Sequence, residues 1–220
     1  MKKYKIDNIS KQKCSEEVQL CYNILKDIHA ESVADKLDDD TWGHVYERNF
    51  IINLAYYYGK KIESLETNNN ASINLISGEI AKHITIPQKF KDKIEKLKNT
   101  DSIEDITVFP DFILHSSYNI SESFSGQHLI LEAKSKCKLS QAEFDWDLIK
   151  LIMYIERLNF RNAIYLIIGM KICDILGYFN NLQEEVGKII EDENNIDKIR
   201  FIIKESIDDD PKIYQISLNI

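Results

Sequence analysis

Phe144, Leu148, Leu151, Ile155 and Leu158 follow one another at steps of four, three, four and three, which is the stripe of an amphipathic helix with one buried face. Ser140 stands where such a helix takes its N-cap. Upstream, the period shortens. Thr107-Val108-Phe109 with Phe112-Ile113-Leu114, and residues 127 to 134 with Leu129-Ile130-Leu131, predict two strands. A polar loop holding Ser116, Ser117, Asn119 and Gly126 joins them. Downstream, residues 162 to 170 contain Ala163-Ile164-Tyr165-Leu166-Ile167-Ile168, too continuously apolar for a half-exposed strand and therefore a central one.

The flanks read less sharply. Val18, Cys21, Tyr22, Leu25 and Ile28 predict a helix over residues 16 to 30. A second helix is expected after an N-cap at Thr41, carrying Val45, Phe50, Ile52, Leu54, Tyr57 and Tyr58 up to Gly59. Thr67-Asn68-Asn69-Asn70 reads as a loop, residues 73 to 86 as a strand or hairpin around Gly78, and residues 88 to 97 as a short basic helix opened by Pro87. A further helix to about Glu193 and strands at 199 to 203 and 213 to 218 complete the chain. The order strand, strand, long helix, buried strand, helix, strand predicts an α/β protein with a mixed sheet between helices. We read residues 1–220 as one domain, with a helical section at 1–64 and a core of about 72–220.

Composition narrows the chemistry. With 44% hydrophobic residues over 220 positions the chain can bury one substantial core. No apolar run reaches the roughly 20 residues needed to cross a bilayer, and the start lacks the apolar stretch of a secretory signal. A cytoplasmic protein without a membrane partner is expected. Cys14, Cys21, Cys137 and Cys173 are dispersed with no CxxC pair, so free thiols are expected rather than zinc ligands or a disulfide framework. The net charge of −8 excludes a surface that attracts nucleic acid everywhere. Acidic residues gather at 27 to 47, including Asp38-Asp39-Asp40, and in the last fifty positions, whereas lysines gather at 89 to 98 and 134 to 138. Phosphate binding, where present, is local.

The two strands before the long helix carry a set of groups suited to phosphodiester cleavage. That reaction takes carboxylates to hold a hard divalent cation, a positive charge to offset the phosphorane, and an activated water. Pro110-Asp111 is followed twenty-one residues later by Glu132-Ala133-Lys134. Period-two alternation sets Glu132 and Lys134 on one face and Leu131 and Ala133 on the other.

Pro110-Asp111 with Glu132-Ala133-Lys134, the helix from Ser140 and the strand from Asn162 together resemble the PD-(D/E)XK phosphodiesterase superfamily, whose fold is restriction-endonuclease-like. The resemblance covers residues 106 to 170. It implies a Mg²⁺-dependent nuclease, with Mn²⁺ able to substitute, acting on DNA with RNA left open. Asp111 and Glu132 would ligate the metal, the Ala133 backbone carbonyl would complete the protein's share, and Lys134 would orient or activate the attacking water. A further acid from the N-terminal helix is common in the superfamily; Glu47 is the candidate and Glu79 its competitor. Gln141 and Asp145 resemble polar positions that support the site in some relatives. A homodimer or a partner subunit stays open, as does a catalytically silent binding or scaffold subunit of a defence or repair complex.

Each feature has a plainer reading. Glu132 and Lys134 could form a solvated charge ladder, although Ile130 shares their face and points to burial. Lys136 and Lys138 are candidates for substrate phosphates, as are Lys150 and Arg157 on the helix, with Lys150 also readable as solvated surface. His115 and His128 read as structural histidines. His44 and Glu47 form an HxxE pair without the second histidine of a zinc protease. Trp146, Phe144 and Tyr57-Tyr58 read as core, with base stacking the alternative. The lysines of 89 to 98 read as a solvated face, with tracking of a duplex backbone the alternative.

Overall fold

The computed structural model describes residues 4–36, 42–66, 73–77, 82–100, 102–116, 127–136, 138–182, 184–192 and 196–218. The elements run β1 (Tyr4–Asn8), α1 (Glu16–Asp27), β2 (Ala34–Lys36), β3 (Trp42–Val45), α2 (Glu47–Glu66), β4 (Ile73–Ser77), β5 (Lys82–Thr85), α3 (Gln88–Lys98), β6 (Asp105–Val108), β7 (Phe112–Ser116), β8 (Gln127–Ser135), α4 (Gln141–Leu158), β9 (Asn162–Ile168), α5 (Ile172–Asn180), α6 (Glu184–Asp192), β10 (Ile199–Lys204) and β11 (Lys212–Leu218). Short 3₁₀ turns at Lys11–Lys13, Ala30–Ser32 and Ile196–Lys198 join them. Outside the described residues lie Asp38-Asp39-Asp40, Thr41, the 67–70 loop, Gly78, Glu79, Ser117, Asn119, Gly126 and Cys137.

A mixed seven-stranded sheet in the order β1-β11-β10-β9-β8-β7-β4 forms the centre. The pairs β4·β7 and β7·β8 are antiparallel, β8·β9 and β9·β10 parallel, and β10·β11 and β1·β11 antiparallel. Both faces are covered. Ile130, Ala163, Tyr165, Ile167 and Phe201 join a core with α3, α4, α5 and α6. Leu129, Leu131, Ala133, Ile164 and Leu166 join a second core with α1 and α2. Burial on both sides explains why β9 is apolar at nearly every position, as a parallel central strand requires.

The long helix follows its sequence closely. Ser140 caps α4 by accepting from the Glu143 amide at 3.2 Å, and the Ser140 amide donates back to Glu143 at 2.9 Å, a complete capping box. Asn159 closes the helix in the left-handed conformation, φ 56°.

Four expectations are corrected. Residues 42–45, expected inside the second helix, are strand β3, so α2 begins at Glu47 and His44 does not share a helical turn with it. Residues 73–86 are not one hairpin: β4 pairs with β7 and β5 pairs with β6. The β-formers from 106 to 114 are not one strand, because the chain breaks at Phe109-Pro110-Asp111, where proline lacks an amide and restrains the residue before it. The helix expected to run to about Glu193 is two, α5 and α6. The N-terminal section also supplies β1, which among the described residues pairs with β11 at one edge of the sheet.

An excursion follows from these corrections. Ser77 and Phe112 face each other across the β4·β7 ladder, and the chain between them builds the separate β5·β6 pair and α3. Ile84, Phe90, Ile94, Ile106 and Val108 seat this unit against the α4 side of the sheet.

Candidate active site

Asp111 immediately precedes β7, at the point where the β7·β8 ladder ends with Phe112 opposite Leu131. Its Oδ2 accepts the Ala133 amide at 2.7 Å, so the carboxylate takes the place of the next ladder carbonyl. Glu47, first residue of α2, repeats the device: its Oε2 accepts the Ser135 amide at 3.1 Å, while the Ser135 hydroxyl donates to the Val45 carbonyl at 2.7 Å. Alternate amides of one strand point to one edge. Asp111 and Glu47 therefore stand side by side along the end of β8.

Glu132 and Lys134 turn to the sheet face covered by α4. Glu132 is 1% exposed; its Oε1 accepts the Tyr154 hydroxyl at 2.6 Å and its Oε2 meets the Lys150 ammonium at 2.5 Å. The Lys134 ammonium lies 3.4 Å from Asp147 Oδ2. Asp147 Oδ1 stands 2.8 Å from Lys150, and its Oδ2 accepts the Tyr165 hydroxyl at 3.0 Å. Asp147, Lys150 and Tyr154 share one helix face because their spacings are three and four. The result is a buried network of alternating charge between β8 and α4.

Burial governs the titration of these groups. It pushes the Asp111 carboxyl up to about 6, with the Glu47 charge acting the same way and the Ala133 amide opposing. It pushes Glu132 up to about 7, reinforced by Asp111 and opposed by Lys150 and Tyr154. For Lys134, burial disfavours the ammonium, but Asp147, Glu47 and Asp111 outweigh it and hold the group above its ordinary value. Lys150 is raised in the same way, burial being outweighed by Glu132 and Asp147.

These carboxylates suit a hard divalent cation. Burial disfavours the charge on both Asp111 and Glu132, and the Asp111 charge further opposes that of Glu132; a dication between them relieves that cost. Among the described residues no group of three or more His, Cys, Asp or Glu side chains is arranged to hold a metal ion. Two carboxylates, with water and phosphate oxygens filling the remaining positions, are what Mg²⁺ ordinarily takes.

Of the residues singled out from sequence, Asp111, Glu132, Lys134 and Glu47 come together with Ala133 between them. Gln141 does not. Its amide donates to Asp145 Oδ1 at 2.6 Å and to the Tyr178 carbonyl at 3.0 Å, tying α4 to α5; nine residues before Lys150, it sits about two and a half turns away on the opposite helix face. Asp145 shares that orientation. Lys136 pairs with Glu143 at 2.8 Å on the surface, and Lys138 and Arg157 are exposed. His128 lies 3.5 Å from Glu17, a structural contact. Phe144 and Tyr58 are fully buried core residues.

Lys150 is corrected from solvated surface to the buried partner of Glu132. Asp147, Tyr154 and Tyr165 escaped sequence reading. The signal was there: Asp147 and Lys150 interrupt Leu148, Ile149, Leu151 and Ile152, all buried, and charges so placed need partners. No family model, curated protein or solved structure matches the chain.

Among the described residues no helix is long and apolar enough to cross a membrane. Cys14, Cys21 and Cys173 are free thiols.

Proposed function

We propose that this protein is a Mg²⁺-dependent nuclease that hydrolyses DNA phosphodiesters, a member of the PD-(D/E)XK superfamily with the restriction-endonuclease-like arrangement. The observation that carries this reading is the convergence of Asp111 and Glu132, two desolvated carboxylates, with the Lys134 ammonium on the same strand as Glu132. The strand order β4-β7-β8-β9, with α4 leading from β8 to β9, supports it as well.

Asp111 and Glu132 would hold Mg²⁺ beside the Ala133 backbone. Bound there, the ion supplies Lewis acidity toward a phosphate oxygen and lowers the pKa of its water. Lys134, kept charged by Asp147, orients the attacking water and offsets charge on the phosphorane. Water's oxygen bonds to phosphorus as the ester P–O bond breaks; one product keeps the hydroxyl and the departing oxygen takes the proton. Glu47 fixes the end of β8 through Ser135 and adds negative charge beside Asp111.

Supercoiled and linear DNA incubated with pure protein in Mg²⁺, Mn²⁺ or EDTA tests the proposal, alongside Asp111→Ala, Glu132→Ala and Lys134→Ala. Metal-dependent cleavage absent from each folded variant is expected. Cleavage retained by all three removes the site assignment.

A second reading, a catalytically silent nucleic-acid-binding or scaffold subunit, is favoured by one contact: both Glu132 oxygens are engaged by Lys150 and Tyr154. DNA binding without cleavage under any metal would select it.

A further inference from the structure

A cavity of about 350 Å³ opens beside the buried network, walled by Lys98, Val108, Phe109, Trp146 and Lys150. Lys150 is common to this cavity and to the Glu132 ion pair, and Phe109 lies two residues before Asp111. The cavity thus adjoins the carboxylates. Its size falls in the range of about 300–1,000 Å³ typical of small-ligand pockets. A second cavity of about 260 Å³ shares Lys98 and Trp146 with it and is otherwise lined by Leu97, Ala142 and Glu143.

The walls combine two kinds of chemistry. Phe109 is 51% exposed although the residues on either side, Val108 and Pro110, are buried. Trp146 is only partly buried, and the Lys98 ammonium sits 3.5 Å from its ring centroid, a cation held over an aromatic face. Lys98 and Lys150 line the same wall with like charge, and burial together with Lys150 lowers the Lys98 pKa. An anion arriving there meets the Lys98 ammonium, with Lys150 behind it held by Glu132 and Asp147, and a flat apolar ring meets two aromatic side chains. A nucleotide carries both parts.

Resting on the nuclease reading, we propose that this cavity is a subsite for an unpaired nucleobase, its ring against Phe109 and Trp146 and a neighbouring phosphate on Lys98. The substrate class is then DNA with a single-stranded segment at the scissile phosphate. Bases inside a duplex are stacked and paired, and reach such a pocket only after extrusion. Stacking of this kind tolerates any base, since every base has a π-face. It also suits a chain of net charge −8, where affinity comes from ring contact and a few local phosphates rather than from a basic surface.

The test is fluorescence anisotropy of the full-length protein in EDTA with labelled oligo-dT, oligo-rU and a blunt duplex, for wild type, Phe109→Ala and Trp146→Leu. Oligo-dT is expected to bind at least about tenfold tighter than the duplex, with each variant losing about tenfold on oligo-dT alone. Phe109 is exposed, so its variant reads the pocket even where Trp146→Leu disturbs packing. Equal affinity for strand and duplex, affinity unchanged in Phe109→Ala, or no binding to any oligonucleotide overturns the subsite; preference for oligo-rU overturns the DNA assignment. The nuclease reading fails separately: Phe109-dependent strand binding with no cleavage under any metal keeps the subsite and removes the enzyme, whereas duplex cleavage abolished by Lys134→Ala without Phe109-dependent binding does the reverse.

Discussion

The carboxylate of Asp147 lies 3.4 Å from the ammonium of Lys134 across the interface between α4 and β8. Because Asp147 also holds Lys150 and accepts from Tyr165, it sets where both lysines point. Asp147→Asn keeps the shape and removes the charge. The expected result is a fall in kcat of about 10–100-fold with little change in KM. Asp147→Ala takes the ion-pair partner from the half-buried Lys134 ammonium and leaves Lys150 with Glu132 alone, and should cost about 3 kcal/mol in denaturant unfolding. Unchanged kcat in Asp147→Asn would remove its positioning role.

Stability in EDTA should fall as pH rises from about 4 to 7. Asp111 and Glu132 titrate near 6 and 7 in the folded chain against ordinary values of 3.8 and 4.5, so across that window the folded state binds more protons than the unfolded. Stability then declines with pH, by about 3 kcal/mol for each group. Glu17, held near 2 chiefly by His128, contributes with the opposite sign, but that contribution is complete above about pH 4.5 and is lost only below it. Thermal melts from pH 5 to 8 should show a steeper decline for wild type than for Glu132→Gln. Mg²⁺ should restore more stability at pH 8 than at pH 5, since its ligands must be deprotonated. Parallel pH slopes for wild type and Glu132→Gln would contradict this.

Ser140→Ala removes the capping box at the start of α4. The expected loss is about 1 kcal/mol, a fall in Tm of roughly 2–4 °C for a chain of this size. Calorimetry of the two proteins at one pH measures it.

Gly177 lies inside α5, and a β-carbon there meets nothing within 4 Å. Gly177→Ala should therefore stabilise by about 0.5–1 kcal/mol through helix propensity alone. A drop in urea midpoint would show that the position needs its flexibility.

The parts of the fold nearest the chemistry were legible because their patterns are local. Glu132 and Lys134 alternate with Leu131 and Ala133, the α4 stripe repeats every three or four residues, and β9 is apolar throughout. What was not legible depends on partners distant in sequence. Residues 106–108 and 112–114 look alike, and nothing local says that one pairs with β5 while the other joins the main sheet. Strand β1 alternates Lys5, Ile6 and Asp7 over five residues and gains its shape only from β11. Lys150 looked like surface because a lysine on a helix usually is; its burial depends on Glu132, eighteen residues away on another element.

Because Ser77 and Phe112 stand opposite each other, the chain leaves the sheet and returns to it at adjacent points. The excursion between them can lengthen, shorten or be exchanged at little entropic penalty, about 0.6 kcal/mol per doubling of a flexible loop. It must keep only an apolar underside to lie on α4. One wall of the cavity beside Lys150 belongs to residues 82–109 of this excursion, whereas Asp111 stands at its point of return and Glu132 and Lys134 lie on β8. Exchanging residues 82–109, or trimming their helix, should thus reshape that wall while leaving Asp111, Glu132 and Lys134 where they stand.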